Sequence, residues 1–193
     1  MHKTKKRHGR LVIVAAPSGA GKGTLLRRVR EQVPNSVVTV SATTRPPRPG
    51  ETHGVEYYFY TPDEFDQLIE KDALVEWAHV HGQRYGTLKS EIDRLLTDDV
   101  IVIFEVDVQG MRAIKRLYPD MVSIFIAPPS MAELARRLVL RGVNDTEDMA
   151  LRLNNAEEEM AARHEFDHIV VNDDIERASA ELTALVRGDS RGQ

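Results

Sequence analysis

Gly19, Gly21 and Lys22 stand close together in the stretch Ala16-Pro17-Ser18-Gly19-Ala20-Gly21-Lys22-Gly23-Thr24. Glycines there can adopt backbone conformations closed to other residues and expose consecutive N–H groups, and the lysine adds a point charge. That combination binds phosphate. The pattern departs from G-x-x-x-x-G-K-[ST] twice, with Ala16 at the first glycine and Gly23 at the hydroxyl position; a hydroxyl returns at Thr24. A plain glycine-rich turn with a surface lysine is the bland alternative. The flanks argue against it: Leu11-Val12-Ile13-Val14-Ala15 reads as a buried strand and Leu25 to Arg30 as a helix.

A second constellation lies downstream. Arg45 and Arg48 fall on Thr43 to Glu51, a loop stiffened by three prolines, with Tyr57 and Tyr85 further along the chain. Guanidiniums matched to phosphate oxygens, with phenolic hydroxyls beside them, make a phosphate clamp. The plainer reading is two solvated arginines. Glu76, in Leu74-Val75-Glu76-Trp77-Ala78, is either buried or turned to a site by the strand alternation. A carboxylate accepts the N1–H and N2–H of guanine as a pair, an edge adenine lacks, and a hydroxyl at Ser41 or Thr87 could donate to O6. Spacing alone leaves a surface strand glutamate equally open. Arg136, Arg137 and Arg141 share one helix and Arg152 lies on the next, with Arg137 and Arg141 on one face. Joined by a polar break at Gly142 to Asp145, these helices read either as a positively charged lid or as an exposed charged face. Asp107 ends an apolar strand and suits a magnesium-side or base-side carboxylate. The seven histidines show no zinc spacing, His79 and His81 included, and no Gly-x-Ser-x-Gly elbow occurs.

The elements that must position these groups follow an alternating rhythm. Strands are expected at 11–15, 37–40, 100–107, 122–127 and 168–171, with helices after each or nearly so. Thr61-Pro62-Asp63-Glu64 and Ser130-Met131-Ala132-Glu133 read as capping boxes. Such alternation implies an α/β fold with a parallel sheet covered on both faces. Ligands then sit beyond the strands' carboxyl ends, where the glycine loop, Ser41, Asp107 and Asn172 all fall. Residues from about 40 to 88 break the rhythm: a strand-like Gly54 to Tyr60, a helix from Asp63 to Lys71 and a hairpin around Gly82 suggest an antiparallel insertion on the substrate side.

Composition sets limits. The chain has 193 residues, 41% hydrophobic and 29% charged, enough for one domain with a sizeable core. Zero cysteines exclude disulfides, thiolate metal sites and a cysteine nucleophile, and fit a reducing compartment. No apolar run reaches the length of a membrane span. Net charge is −4, but Lys3, Lys5, Lys6, Arg7 and Arg10 crowd the start; without them 21 basic residues face 30 acidic ones, leaving −9. That acidic body argues against a nucleic-acid binder.

The segments APSGAGKGT, SATTRPPRPGE with GVEYYF, VEWAHVHGQRYGT, VDVQG, IFIAPPS, RRLVLRG and VVNDD, in this order, resemble the guanylate kinase family from about Arg10 to Val186. The resemblance implies a P-loop NTPase three-layer α/β sandwich with a central, mainly parallel sheet, a small mixed GMP-binding insertion and a helical lid. With the crowded basic residues read as a disordered tail at 1–9, it implies one domain at 10–189 and a tail at 190–193. Within the domain, 10–40, 89–130 and 165–189 form the core, 41–88 the GMP-binding region and about 131–164 the lid. The expected activity is transfer of the γ-phosphate of ATP to GMP, with dGMP as a further expectation, in the cytoplasm. Carried over, Arg45, Arg48, Tyr57 and Tyr85 hold the GMP phosphate, Glu76 with Ser41 and Thr87 reads guanine, and Asp107 completes the GMP site. Ala16, Pro17, Ser18, Gly19, Ala20, Gly21, Lys22, Gly23 and Thr24 hold ATP phosphates, and Asn172 approaches the adenine. Lys22, Arg45, Arg137, Arg141 and Arg152 carry catalysis. Mg²⁺ is the expected cofactor, held mainly by nucleotide and water with Thr24 as a helper, because Gly23 lacks the usual hydroxyl. Glu105 stands where the family commonly has aspartate and receives no role. The rival expectations are a non-catalytic guanylate-kinase-like module that binds a phosphorylated protein, and another nucleoside monophosphate kinase, suggested only by GKGT.

Overall fold

A computed structural model describes residues 9–80, 82–95, 100–140, 142 and 145–189. The apolar runs become the strands β1 (Arg10–Ala15), β2 (Ser36–Val38), β7 (Ile101–Glu105), β8 (Val122–Ala127) and β9 (His168–Val171). They form a sheet in the order β2-β7-β1-β8-β9, with every pairing parallel. Alternate residues of each strand feed opposite faces, which is why the runs are apolar throughout. On one face Val12, Val14, Ile103, Ile124 and Ile126 pack with Leu25 and Val29 of α1 (Lys22–Gln32), Leu134 and Leu138 of α5 (Met131–Leu140), and Leu182 of α7 (Ile175–Arg187). On the other, Ile13, Val102, Phe104 and Phe125 meet Ile92 of α3 (Lys89–Leu95) and Met111 and Ile114 of α4 (Val108–Leu117). The result is a three-layer sandwich.

The chain leaves β1 for β2 on one side and later returns to β8 on the other, so a crevice opens beyond the carboxyl end of β1. A second sheet, β4-β3-β6-β5, stands over it. In it β3 (Ala42–Thr43) runs parallel to β4 (Tyr58–Phe59), while β6 (Gln83–Leu88) is antiparallel to both β3 and β5 (Leu74–Val80). This sheet and α2 (Pro62–Glu70) enclose their own small core of Ala42, Phe65, Leu74 and Leu88. Thr61 and Glu64 form a complete capping box at α2, with Pro62 in the first turn.

Several expectations need adjusting. The strand expected at Gly54 to Tyr60 shortens to Tyr58–Phe59, because Gly54 at φ +82 starts a turn closed by its own N–H to the Tyr57 carbonyl. Strand β3 was not expected at all. At α5 only half of the capping box forms: Ser130 Oγ accepts the Glu133 N–H, but the Glu133 carboxylate receives Arg136 and Arg137. The region 131–164 also begins inside the core, since Leu134 and Leu138 are buried on the glycine loop. After Asp145, α6 (Thr146–Ala161) runs on into a 3₁₀ turn at Ala162–Glu165. Tail residues 1–8 and 190–193, with His81 and Arg141, lie outside the described residues.

Candidate active site

The glycine loop joins β1 to α1 at the crevice. Gly19 (φ +93) and Gly21 (φ +96) both take left-handed backbone, and Gly21 is the N-cap of α1. No acidic side chain occupies the first turn of α1, so its amides and positive dipole end are left for an anion. Both glycines are also enforced from behind. A Cβ on Gly19 would lie 3.1 Å from Leu134 and Leu138, and one on Gly21 would lie 2.3 Å from Asn172 Nδ2.

That rear contact bears on two expectations. Asn172, expected toward the adenine, is buried behind the loop, where its Nδ2 donates to the Ala20 carbonyl at 2.7 Å. Arg137, expected over the transferring group, docks on the same rear face: it donates to the Asn172 carbonyl at 3.0 Å, to Ala20 O at 3.4 Å and to Glu133 at 2.8 Å. Its neighbour Arg136 and then Arg137 itself hold the Glu133 carboxyl down to about 2. Arg152 does face the front. It pairs with Asp148 and approaches Ser18 Oγ at 3.5 Å.

Two clefts open at the crevice. One, of 790 Å³, is lined by loop residues 16–19 and 21–23, by Arg112 of α4 and by Arg152, Asn155 and Glu159 of α6. The other, of 560 Å³, is lined by Ser41, Gly54, Tyr57, Glu76 and Tyr85 among others. They share Lys22, Tyr57, Tyr85, Glu105, Val106 and Asp107 as a common wall. Thr24 is exposed and lines neither. Lys22 Nζ lies 3.5 Å from Glu105 Oε1, the strand register having set Glu105 beside Val14. Asp107 caps α4 by accepting the Gly110 N–H at 2.7 Å. Glu159 is pushed up to about 7 by burial, with Lys22 opposing the shift and Asp107 adding to it. Sequence reasoning missed Glu159, which hides in a run of three glutamates that looks like a solvated helix face. It also gave no part to Glu105, although an acid ending an apolar strand was a visible signal.

In the second cleft Glu76 is pushed up to about 7 by burial; the Thr87 hydrogen bond works against the shift and Asp107 with it. Thr87 Oγ1 donates to Glu76 Oε1 at 2.7 Å and is fully buried. Its single proton is thereby committed, so Thr87 orients the carboxylate, and of these two hydroxyls Ser41 is the one that lines the cleft. Gly110 has no Cβ where one would come within 3.3 Å of Glu76 Oε2. Arg45 does not line the cleft; it stacks 5.2 Å from the centre of the Tyr57 ring, which does. Its guanidinium pairs with Glu51 at 2.8 Å and donates to the Pro46 carbonyl. Burial, and then Tyr85, raise the Tyr57 phenol, which stays a hydrogen-bond donor. Arg48 does not join the cluster: its side chain is exposed and lines neither cleft, while its backbone N–H donates to Glu51 at 2.7 Å.

The arrangement suits two anionic reactants meeting across the Lys22 wall. Comparisons with known proteins agree. The family model described as "Guanylate kinase" matches residues 8–188. A guanylate kinase of Mycolicibacterium paratuberculosis is 47% identical over 182 residues, covering 93% of this chain and 82% of that protein. One from a Polaromonas species is 48% identical over 178 residues, covering 92% and 86%. Among solved structures, the crystal structure of guanylate kinase from Anaplasma phagocytophilum aligns with a TM-score of 0.72 at 30% identity, covering 97% of this chain and 89% of that one.

Proposed function

The chain belongs to the guanylate kinase family, and from that premise we propose a division of labour among its residues. The enzyme passes the γ-phosphate of ATP to GMP, giving ADP and GDP. The 790 Å³ cleft takes ATP, its phosphates held by the loop amides and Lys22. The 560 Å³ cleft takes GMP, or dGMP. Ionised Glu76 accepts the guanine N1–H and N2–H while Ser41 donates to O6. Tyr57 and Tyr85, backed by Arg45, hold the acceptor phosphate. The observation that carries this reading is the shared wall of Lys22, Tyr57, Tyr85, Glu105 and Asp107.

An oxygen of the GMP phosphate attacks the γ-phosphorus in line as the bond to the β,γ-bridging oxygen breaks, and ADP departs. No covalent enzyme intermediate and no strong base are needed; positioning and neutralisation of spreading charge carry the rate. Lys22 and Arg152 face the transferring group from two sides. Arg137 acts through the loop it braces, Arg141 adds a further positive charge for the transferring group, and Arg48 joins the acceptor phosphate by a side-chain swing.

Glu105 and Asp107 offer the hard oxygen donors that Mg²⁺ takes, in the small number that suits an ion retaining waters and substrate phosphates. When bound there with ATP, Mg²⁺ supplies charge neutralisation between the phosphates. Gly23 contributes no ligand. Among the described residues no helix is long and apolar enough to cross a membrane. The cysteine-free composition supports a cytoplasmic setting. A coupled assay across nucleoside monophosphates tests the assignment: magnesium-dependent ADP formation with GMP and little with AMP is expected, and equal turnover of AMP overturns the guanine reading. Binding of a phosphopeptide without ATP binding would instead favour the non-catalytic module.

A further inference from the structure

Glu91, on α3, lies outside both clefts, yet its side chain is only 1% exposed. A carboxylate so withdrawn from water must have its lone pairs filled. Its Oε1 accepts the Val40 N–H at 3.3 Å and Arg94 NH2 at 2.9 Å; its Oε2 accepts the Tyr58 hydroxyl at 2.9 Å and Arg94 Nε at 3.0 Å. Burial works to raise this carboxyl, but the bonds from Arg94, Tyr58 and Val40 outweigh it and hold the group below its ordinary value. The carboxylate is therefore charged and fully engaged near neutral pH.

Its partners are informative. The Thr39 N–H bonds to Ile103 O at 2.9 Å and ends the path along the core sheet; the Tyr58 N–H bonds to Ser41 O at 2.8 Å within the second sheet. Between those bonds lies Val40, whose N–H Glu91 takes. Val40 precedes Ser41 at the base-reading end of the acceptor cleft, and Tyr58 follows Tyr57 at its phosphate-holding end. Glu91 thus grips the chain beside two residues that must stand a fixed distance apart for one ligand.

Building on the GMP reading of this cleft, we infer that Glu91 is a positioning residue for the acceptor, setting the separation of Ser41 and Tyr57 through Val40 and Tyr58. It touches no substrate. Its effect falls on GMP affinity, while the ATP side and the chemical step are built from other elements.

The test combines GMP binding by calorimetry without ATP and steady-state kinetics with both substrates. Wild-type GMP binding, measured first, tests the acceptor reading by itself, so the two failures are separable. Glu91→Gln is expected to raise the GMP Kd and KM about tenfold, leaving the ATP KM and kcat at saturating GMP within about twofold. Tyr58→Phe, which removes one hydroxyl, raises the GMP KM about threefold, and the double variant is no worse than Glu91→Gln, as one network requires. Asp167→Asn serves as the structural comparison, since it breaks the network with Lys115 and Ser123 elsewhere. It lowers Tm without moving the GMP KM. A Glu91→Gln protein that loses as much Tm but keeps its GMP KM within about twofold overturns the inference, as does a fall in kcat at unchanged KM. If Glu91→Gln does not fold, Tyr58→Phe decides, and an unchanged GMP KM there overturns it equally.

Discussion

At Glu76 a carboxylate has to be charged to accept from a guanine edge, while its surroundings favour the proton. Burial first, and then the nearby Asp107, push it up to about 7, with only Thr87 pulling the other way. The folded value lies above the ordinary 4.5, so ionising Glu76 costs folding stability as pH rises from about 4.5 to about 7. For the ligand the proposed site reverses the sign: GMP would bind the carboxylate form and expel a proton below pH 7. GMP affinity is expected to climb as pH rises toward 7 and then level off. Calorimetry at pH 6 in buffers of different ionisation enthalpy reads the released proton directly. Glu76→Gln should weaken GMP binding about 10- to 100-fold and flatten the pH dependence, since a charged acceptor is worth about 1.5–3 kcal/mol; retention of the slope would assign the titration elsewhere. Gly23 poses a second question at this scale. Nothing stands within 4 Å of where its Cβ would be, and its φ is not left-handed. Gly23→Ser should therefore fold at least as well as the parent, by up to about 0.5 kcal/mol from helix preference. It should also lower the Mg²⁺ concentration giving half-maximal activity. An unchanged magnesium requirement would mean that the hydroxyl has no cation to meet.

The loop between β1 and α1 shows how an element is specified from both sides. Gly21 needs left-handed backbone, and Asn172 fills the space behind it. Gly21→Ala should cost about 1–2 kcal/mol from the backbone alone, plus the displacement of Asn172. Urea unfolding measures the sum, and ATP affinity should fall with it; a neutral result would mean the loop takes another shape in solution. The same loop marks the limit of sequence reading. A strand, glycines and a helix in order announce a phosphate site because each is a local signal. Which way Asn172 and Arg137 turn depends on α5 and β9 arriving at the loop's rear, and no local pattern carries that. Thr87 was legible as a hydroxyl that could reach guanine O6, but not as one already committed to Glu76. Glu91 was invisible because a buried acid on a helix with Arg94 close behind reads as a solvated pair. The parallel sheet was legible, since long doubly buried strands are apolar throughout. Strand β3 was not, since two residues are too few to show alternation, and β4 was legible only as part of a longer strand.

Taken whole, the molecule is a sandwich with two cores flanking one sheet and a third, small core enclosed by the second sheet and α2. Units with few buried apolar groups open more cheaply than large ones. Amide hydrogen exchange should therefore run faster in β3 to β6 and α2 than in β1, β7 and β8, and GMP should slow it chiefly in the former. Equal protection without ligand would mean the two units open together. The separate small core also bears on which inherited changes are tolerated, and how they present. Leu68 packs against that core from a half-buried position on α2. A Leu68→Ala allele would loosen the second sheet and α2, the proposed GMP side, while leaving the main cores intact. Only the closed fraction can take GMP, so apparent affinity falls in proportion to that fraction. A cell carrying the allele would hold normal amounts of an enzyme starved for its acceptor, and raising the guanylate pool, unlike raising expression of chaperones, would restore flux.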